Sequence, residues 1–310
     1  MELRQLKYFI AVAETKSLSN AVKRLYIAQP ALSQSIKALE DELETKLFVR
    51  SRKGMALTTA GQGFLKNAKV ILREVDRSKE GIKDAAENPS GLVSIAIAPS
   101  ASGVLSVPLF REVKNRYPNI TLNIEEHTAV DVSQCFDTGT FDLLVYFRAQ
   151  GVENIEVEPI IQEELYLACQ YSQKNPLPSE IDFSDLSLYP LMFPQVSTNV
   201  DKNVAEIAYT NEVDVRVQKN TVAIRILIKL VKEGLANSVV PWTTIYDSVN
   251  TKEIMAAKIV NPPVTRTLNL ISPTNRHQTH ATRVVMELVR ETATRLNEEG
   301  EWRGKLLLES

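Results

Sequence analysis

The chain has 310 residues, 44% hydrophobic and 24% charged, with 11 Gly and 14 Pro, which is more than one ordinary domain needs and too mixed for a disordered chain. Charged residues from Glu2 to Lys16 interrupt the N-terminal stretch and no uncharged run reaches the roughly 18 residues of a membrane span, so secretion and membrane insertion are disfavoured and a cytoplasmic protein is expected. The formal net charge of −2 argues against a nucleic-acid partner only until it is resolved along the chain.

Residues 1–66 carry 11 Lys and Arg against 6 Asp and Glu, residues 67–90 are balanced at 5 against 5, and the remaining 220 carry 20 against 27. A basic head on an acidic body is the asymmetry of a polyanion-binding piece joined to something else. Leu3, Leu6, Phe9, Ile10 and Ala13 predict an amphipathic helix from about Glu2 to Thr15. Ser17 is placed to cap a second helix, Leu18 to Leu25, and after Tyr26, Ile27 and Ala28 a third runs from Gln29 to Glu42, with Pro30 tolerated in its first turn. Two helices joined by three residues form a helix-turn-helix candidate. Leu47 to Thr58 then reads as two short extended pieces around the basic turn Arg50, Ser51, Arg52, Lys53, Gly54, a wing suited to a phosphate backbone.

From Thr59 to Asn88 the pattern is helical again, roughly 45 Å long. Leu65, Ala68, Leu72, Val75, Lys79, Ile82 and Ala86 alternate spacings of three and four, a coiled-coil seam. The small head is expected to leave that seam open, so a second copy of the chain is predicted to cover it. Beyond Gly91, strands at Val93–Ile97, Ile120–Ile124 and Asp142–Phe147 alternate with helices at Val104–Tyr117 and Val130–Thr138. The pattern restarts with strands Leu165–Gln170, Leu191–Phe193, Val213–Val217 and Ser238–Pro241, and helices Val200–Thr210 and Thr221–Glu233. This predicts parallel α/β sheet in two lobes.

On the third helix Gln29, Ser33 and Lys37 share the face opposite Leu32, Ile36 and Leu39, with Pro30 and Gln34 beside them. Such a strip is either an ordinary solvated face or a base-reading one, since Gln can pair with adenine and Lys with guanine or phosphate. The capped helix before it, the wing and the dimerising helix after it favour the second. In the body, ligands of open α/β sheets sit beyond the carboxyl ends of strands. Those junctions hold Ser100 and Ser102, Thr128, Ser197 and Thr198, and Thr221, which are equally at home as helix caps. Arg148, ending the third strand, suits either a carboxylate effector or a surface acid.

No metal or cofactor is expected: His277 and His280 lack a third ligand, and the chain has no nucleotide-binding or hydrolase motif. Cys135 and Cys169 read either as a redox pair or as small buried apolar residues. An enzyme is therefore not expected. The rival to a DNA-binding regulator is a cytoplasmic small-molecule binding protein whose N-terminal helices serve only oligomerisation.

Residues 1–66 resemble the winged helix-turn-helix of LysR-type transcriptional regulators. The pattern is Leu6 to Phe9, Ser17-Leu18-Ser19, Ala21, Leu25, Gln29-Pro30-Ala31-Leu32-Ser33, Ile36, Leu39-Glu40, Leu43, Leu47-Phe48, Arg50 and Leu57-Thr58-Thr59-Ala60-Gly61. Val22 and Thr45 depart from it, where the family usually has alanine and glycine. Tyr26 to Gln34 and Val93 to Ser100 also resemble the nitrogen-assimilation-control subgroup. The resemblance implies a DNA-binding domain at 1–58, a dimerising linker helix at 59–88, and a two-lobed periplasmic-binding-protein-like effector domain with one lobe at 91–162 and 267–300 and the other at 163–266. It further implies that Gln29, Pro30, Ser33, Gln34 and Lys37 face the major groove and that Arg50, Arg52 and Lys53 meet phosphate or minor groove. The implied partners are double-stranded DNA at a pseudo-palindromic operator, a small polar or anionic effector, a second copy within a dimer or a dimer of dimers, and RNA polymerase.

Overall fold

The computed structural model describes all residues except 52–53, 84–87, 129–130, 148–150, 195–199, 219–221 and 309–310. They gather into two compact units, Met1–Ala85 with Gln134–Thr140, and Ala86–Ser133 with Phe141–Ser310. The segment Gln134–Thr140, expected within the first lobe of the body, groups with the first unit because Arg73 of that unit donates to the carbonyls of Gly139 and Thr140.

The head opens with α1 (Leu3–Thr15), one residue later than expected because Glu2 and Gln5 form a capping box. Helix α2 (Leu18–Leu25) is capped by Ser17, whose hydroxyl accepts from the Asn20 amide, and α3 (Gln29–Glu42) carries Pro30 in its first turn. Strands β1 (Phe48–Ser51) and β2 (Gly54–Leu57) pair antiparallel as the wing, and α4 (Thr59–Lys83) follows. The core joins every helix: Leu6, Phe9, Leu32 and Leu39 are fully buried, and the Phe9 ring lies 5.1 Å from Phe48 and 5.0 Å from Phe64.

One expectation about α4 changes. Ala68 is fully buried in the core of its own head, and Leu65 and Leu72 pack against the same core. Helix α1 covers this half of the seam, with Glu14 paired to Lys69 at 3.0 Å, so these positions do not depend on a second chain for cover. Val75 lies beyond that core and is half-buried, and the side chain of Ile82 is outside the described residues.

In the second unit β3 (Gly91–Ile97), α5 (Pro99–Arg116), β4 (Ile120–Glu126), α6 (Val132–Asp137) and β5 (Leu143–Tyr146) follow in turn, although part of α6 is assigned to the first unit. The 16-residue strand β6 (Ile155–Gln170) leads to β7 (Glu180–Asp182), a 3-10 helix at Phe183–Leu188, α7 (Val200–Thr210), α8 (Ile224–Lys232), β8 (Ser238–Pro241), α9 (Trp242–Asn250) and β9 (Ile254–Val260). Strand β10 (Thr265–Pro273) returns, α10 (His280–Glu298) is capped by Thr279, and β11 (Gly304–Leu306) closes on β6.

The sheet order is β4-β3-β5-β10-β6-β9-β7, with β8 and β11 also on β6. Only its outer parts are parallel: β3 with β4 and β5, and β7 with β9. The expected parallel sheet is thus a mixed one. Alternation of helices and strands is blind to strand direction, and here the chain leaves on β6 and comes back beside it on β10, antiparallel. Helix α5 starts five residues before the predicted Val104, since Pro99 at its first turn is preset for a helix. Val213 and Val215 do pack against a core, but only Val217 makes a bridge, to Leu191, so no strand forms at 213–217. One core lies around β3, β5, α5 and α10, and two others flank the part of the sheet built from β6, β8 and β9.

Candidate functional sites in the head and in the body

In the head, α3 has two faces of opposite character. Leu32, Ile36 and Leu39 are buried, whereas Gln29, Pro30, Ser33, Gln34 and Lys37 are all exposed. None of the four polar side chains is hydrogen-bonded within the described residues. Tyr26, in the connection between α2 and α3, is 94% exposed, with the left-handed φ of 53° that ends α2. Strand β1 carries the Arg50 backbone; its side chain, together with Arg52 and Lys53, falls outside the described residues.

Several residues of the head pattern prove to be scaffolding. Glu40 is buried, and its Oε1 accepts from the amides of Leu47 (2.9 Å) and Phe48 (3.1 Å) while Oε2 accepts from Lys46 Nζ (2.7 Å). Burial pushes this carboxyl up, but the bonds from Lys46, Leu47 and Phe48 outweigh it and hold the carboxyl below its ordinary value. Thr58 caps α4: its hydroxyl accepts from the Gly61 amide (2.9 Å) and donates to the Lys46 carbonyl (2.7 Å). Gly61 has no room for a side chain, since a Cβ there would sit 2.1 Å from the Leu47 carbonyl oxygen. Gly54, at φ 114°, lets the wing approach the end of α1, where the Met55 amide donates to the Lys16 carbonyl at 2.9 Å. These contacts hold wing and helix in fixed relation.

The body holds a cavity of about 190 Å³. Four helices present their first turns or caps to it: α5 through Pro99 and Ser100, α7 through Val200, α8 through Ala223 and Ile224, and α9 through Pro241 and Thr244. Apolar side chains, among them Phe147, Val239 and Val240, make most of the remaining wall. Of the residues nominated from sequence, Ser100 and Thr128 line the cavity, and the Thr128 carbonyl accepts from Tyr146 Oη at 2.6 Å. Ser102 instead shares a hydrogen bond with Ser106 one turn along α5 (3.1 Å) and does not line it. Arg148, Ser197, Thr198 and Thr221 lie outside the described residues; their described neighbours Phe147, Pro194, Val200 and Ala223 are in the wall.

The charge in this wall is one that the sequence did not nominate. Arg266 on β10 stands opposite Glu163 on β6, with side chains only 3% and 1% exposed. Its Nε donates to Glu163 Oε2 (2.6 Å) and its Nη2 to Ser100 Oγ (2.7 Å), and its guanidinium carbon lies 4.3 Å from the centre of the Phe147 ring. The other Glu163 oxygen accepts from Trp302 Nε1 at 2.8 Å. The signal available was parity: Val264, Arg266, Leu268 and Leu270 alternate on one side of a strand, so the arginine occupies an inward position. Thr244 Oγ1, of a residue also in the wall, is buried without a hydrogen bond among the described residues.

Cys169 is buried and its thiol is pushed up to about 12 by that burial, which suits a small apolar core residue. Cys135 is half-buried on α6.

Residues 3–62 match the bacterial regulatory helix-turn-helix of the lysR family, and residues 86–294 match the LysR substrate binding domain. The chain is 26% identical to the nitrogen assimilation regulatory protein nac of Klebsiella aerogenes over 87% of its own length and 88% of the relative's. It is 30% identical to the HTH-type transcriptional regulator TcbR of Pseudomonas sp. (strain P51) over 85% of this chain and 90% of that one. Among solved structures, full-length CbnR in complex with its target DNA superposes with a TM-score of 0.71 at 28% identity, covering 94% of this chain and 100% of that one. With a matching helix-turn-helix, a matching effector domain and the two sites just described, the chain belongs to the LysR family of DNA-binding transcriptional regulators.

Proposed function

We propose that the exposed strip of α3 reads base edges in the major groove, with Gln29 and Gln34 bonding adenine, Lys37 reaching guanine or phosphate, and Pro30 and Ser33 completing the surface. Arg50, Arg52 and Lys53 of the wing meet the phosphate backbone or minor groove. The observation that carries this reading is the division of α3: one face is locked into the head core and the other is polar, exposed and without hydrogen bonds from its polar side chains among the described residues. The likeness to a regulator crystallised on its target DNA supports it.

A second copy pairs along α4 through Val75, Ile82 and the outer flanks of Leu65 and Leu72, so that two heads address a pseudo-palindromic operator. Such dimers pair into tetramers and contact RNA polymerase. The cavity of the body takes a small polar or anionic effector at Ser100 and Thr128, with Arg148, Ser197, Thr198 and Thr221 as further candidates. Occupancy changes the relation of the lobe at 91–162 and 267–300 to that at 163–266, and so the set of the heads on DNA. The protein works in the cytoplasm without catalytic chemistry; among the described residues no helix is long and apolar enough to cross a membrane.

The test compares gel shifts on specific and scrambled duplexes. Gln29→Ala is expected to remove about 1–3 kcal/mol of preference for the specific duplex while leaving weak, salt-sensitive binding. Arg52→Ala is expected to weaken both duplexes alike. Equal losses from the two substitutions on both duplexes defeat the division of roles, and absence of any salt-dependent duplex binding defeats the reading.

A further inference from the structure

We propose that the segment from Gly300 to Leu308 is a strap drawn across the crossing of β6 and β10, and that its latch, Arg303 on Trp242, restrains the parts of the body from turning about that crossing. The restraint stands on the fold of the body alone. That such turning serves a regulator rests on the effector reading above.

The crossing is where β6 changes partners. Up to Glu164 it pairs with β10, and from Leu165 it takes β8 and then β9. Strand β11 lies on β6 just before that exchange, with Gly304 opposite Glu163 and Leu306 opposite Ile161. Beyond it the Leu307 amide donates to the Ile160 carbonyl at 2.9 Å. No side chain fits at position 304, since a Cβ there would sit 2.4 Å from the Gln162 carbonyl oxygen. Glycine lets the strap lie close on the crossing strand.

The strap also joins two separate cores. Trp302 is fully buried in the core around β3, β5, α5 and α10, and Leu306 and Leu308 pack against that core. Trp242, the first residue of α9, belongs to a different core with Tyr166 of β6 and Val240 of β8. Its indole Nε1 donates to the Gly300 carbonyl at 3.0 Å, and the guanidinium carbon of Arg303 lies 3.5 Å from the centre of its ring. Asn297 Nδ2 holds the turn between these contacts by donating to the carbonyls of Trp302 (2.7 Å) and Gly304 (3.1 Å). One short segment therefore grips both cores and the strand that runs between them, so a turn of one core against the other has to loosen it. The strap reaches the cavity wall as well: Trp302 shares Glu163 with Arg266, which in turn donates to Ser100. A change at the wall and a change at the strap act on one buried carboxylate.

Amide hydrogen exchange of the full chain, read by mass spectrometry on peptides covering β6, β10 and β3, tests this. Arg303→Ala removes no side-chain hydrogen bond to β6 or β10 among the described residues, yet it is expected to speed exchange in both crossing strands about twofold to fivefold while β3 is unchanged. Gly304→Ala, which lifts β11 from β6, is expected to speed both by about tenfold or more. Should Gly304→Ala fail to fold, Arg303→Ala decides alone, because Arg303 is exposed and belongs to neither core. The strap is refuted if Arg303→Ala exchanges like the parent, if faster exchange is confined to residues 299–308, or if β3 speeds up as much as β6 and β10. Salt-dependent duplex binding is measured on the same preparation. Its presence alongside any of those results sinks the strap alone; its absence alongside the expected exchange sinks the regulatory reading and leaves the strap standing.

Discussion

The head and the body each bury a glutamate, and they settle its charge in different ways. Glu40 is held by two backbone amides and by the ammonium of Lys46, itself mostly in water. Glu163 is held by two side chains, the guanidinium of Arg266 and the indole of Trp302, both inside the protein. A charge satisfied by backbone amides is fixed for as long as the fold persists, and Glu40 accordingly ties the end of α3 to the start of β1. A charge satisfied by side chains depends on rotamers as well as on the fold, and Arg266 divides its donors between Glu163 and Ser100 in the cavity wall. In the head the strip proposed to read DNA lies outside, over a rigid scaffold; in the body the cavity wall lies inside, within the network.

The largest expected effect breaks this comparison at Glu163. Arg266→Met leaves the buried carboxylate with the Trp302 indole and no cation among the described residues, at a cost of about 3–5 kcal/mol, read as a lower urea midpoint for the body. Adding Glu163→Gln is expected to recover most of that loss, because removing both charges removes the desolvation problem. If the double variant is no more stable than the single, the loss does not come from a carboxylate left without its cation.

Glu40→Gln is the matching change in the head, with an expected cost of roughly 1.5–3 kcal/mol at neutral pH from bonds made to a charged acceptor. Its pH dependence follows from direction alone. The Glu40 carboxyl lies below its ordinary value in the folded head, so the folded state binds its proton less readily than the unfolded chain does. Its stabilisation is complete above the unfolded value of about 4.3 and disappears as pH falls through the lower folded value. The unfolding midpoint of the parent head is thus expected to fall with acid more steeply than that of Glu40→Gln. Parallel acid profiles for the two proteins contradict the assignment.

The same contrast explains what could be read from the sequence. The head was legible because its elements are local: α2 and α3 fall on their predicted spans, Ser17 caps as expected, and the exposed strip follows from helical spacing alone. The role of Glu40 was not, since it stands beside Asp41, Glu42 and Glu44 with nothing in the sequence to set it apart from them, and its backbone partners stand seven and eight residues on. In the body the strand and helix alternation appeared, but the antiparallel pairing of β6 with β10 joins residues about a hundred positions apart. The cavity inherits that distance: Ser100 and Thr128 stand at strand ends that sequence can find, whereas Arg266, Glu163 and Trp302 meet only through tertiary pairing. The α4 seam is read incompletely for a similar reason: spacing shows that a face is apolar, and not that the head's own core takes up Ala68 and part of Leu65 and Leu72.

The smallest expected effect sharpens the comparison from the other side. Lys46→Met removes the side-chain partner that Glu40 has among the described residues, as Arg266→Met removes the charged partner of Glu163. The formal change is the same, the loss of a cation from a buried carboxylate. Yet Lys46 is 66% exposed, so water and salt already screen its charge, and the Leu47 and Phe48 amides remain bonded to the other oxygen. The urea midpoint of Lys46→Met is therefore expected to match the parent at physiological salt and to separate from it only at low ionic strength, where an exposed pair regains attraction. A loss at physiological salt as large as that of Arg266→Met would mean that the ammonium, rather than the backbone, carries the Glu40 charge, and the distinction between a fixed and an exchangeable buried carboxylate would fail.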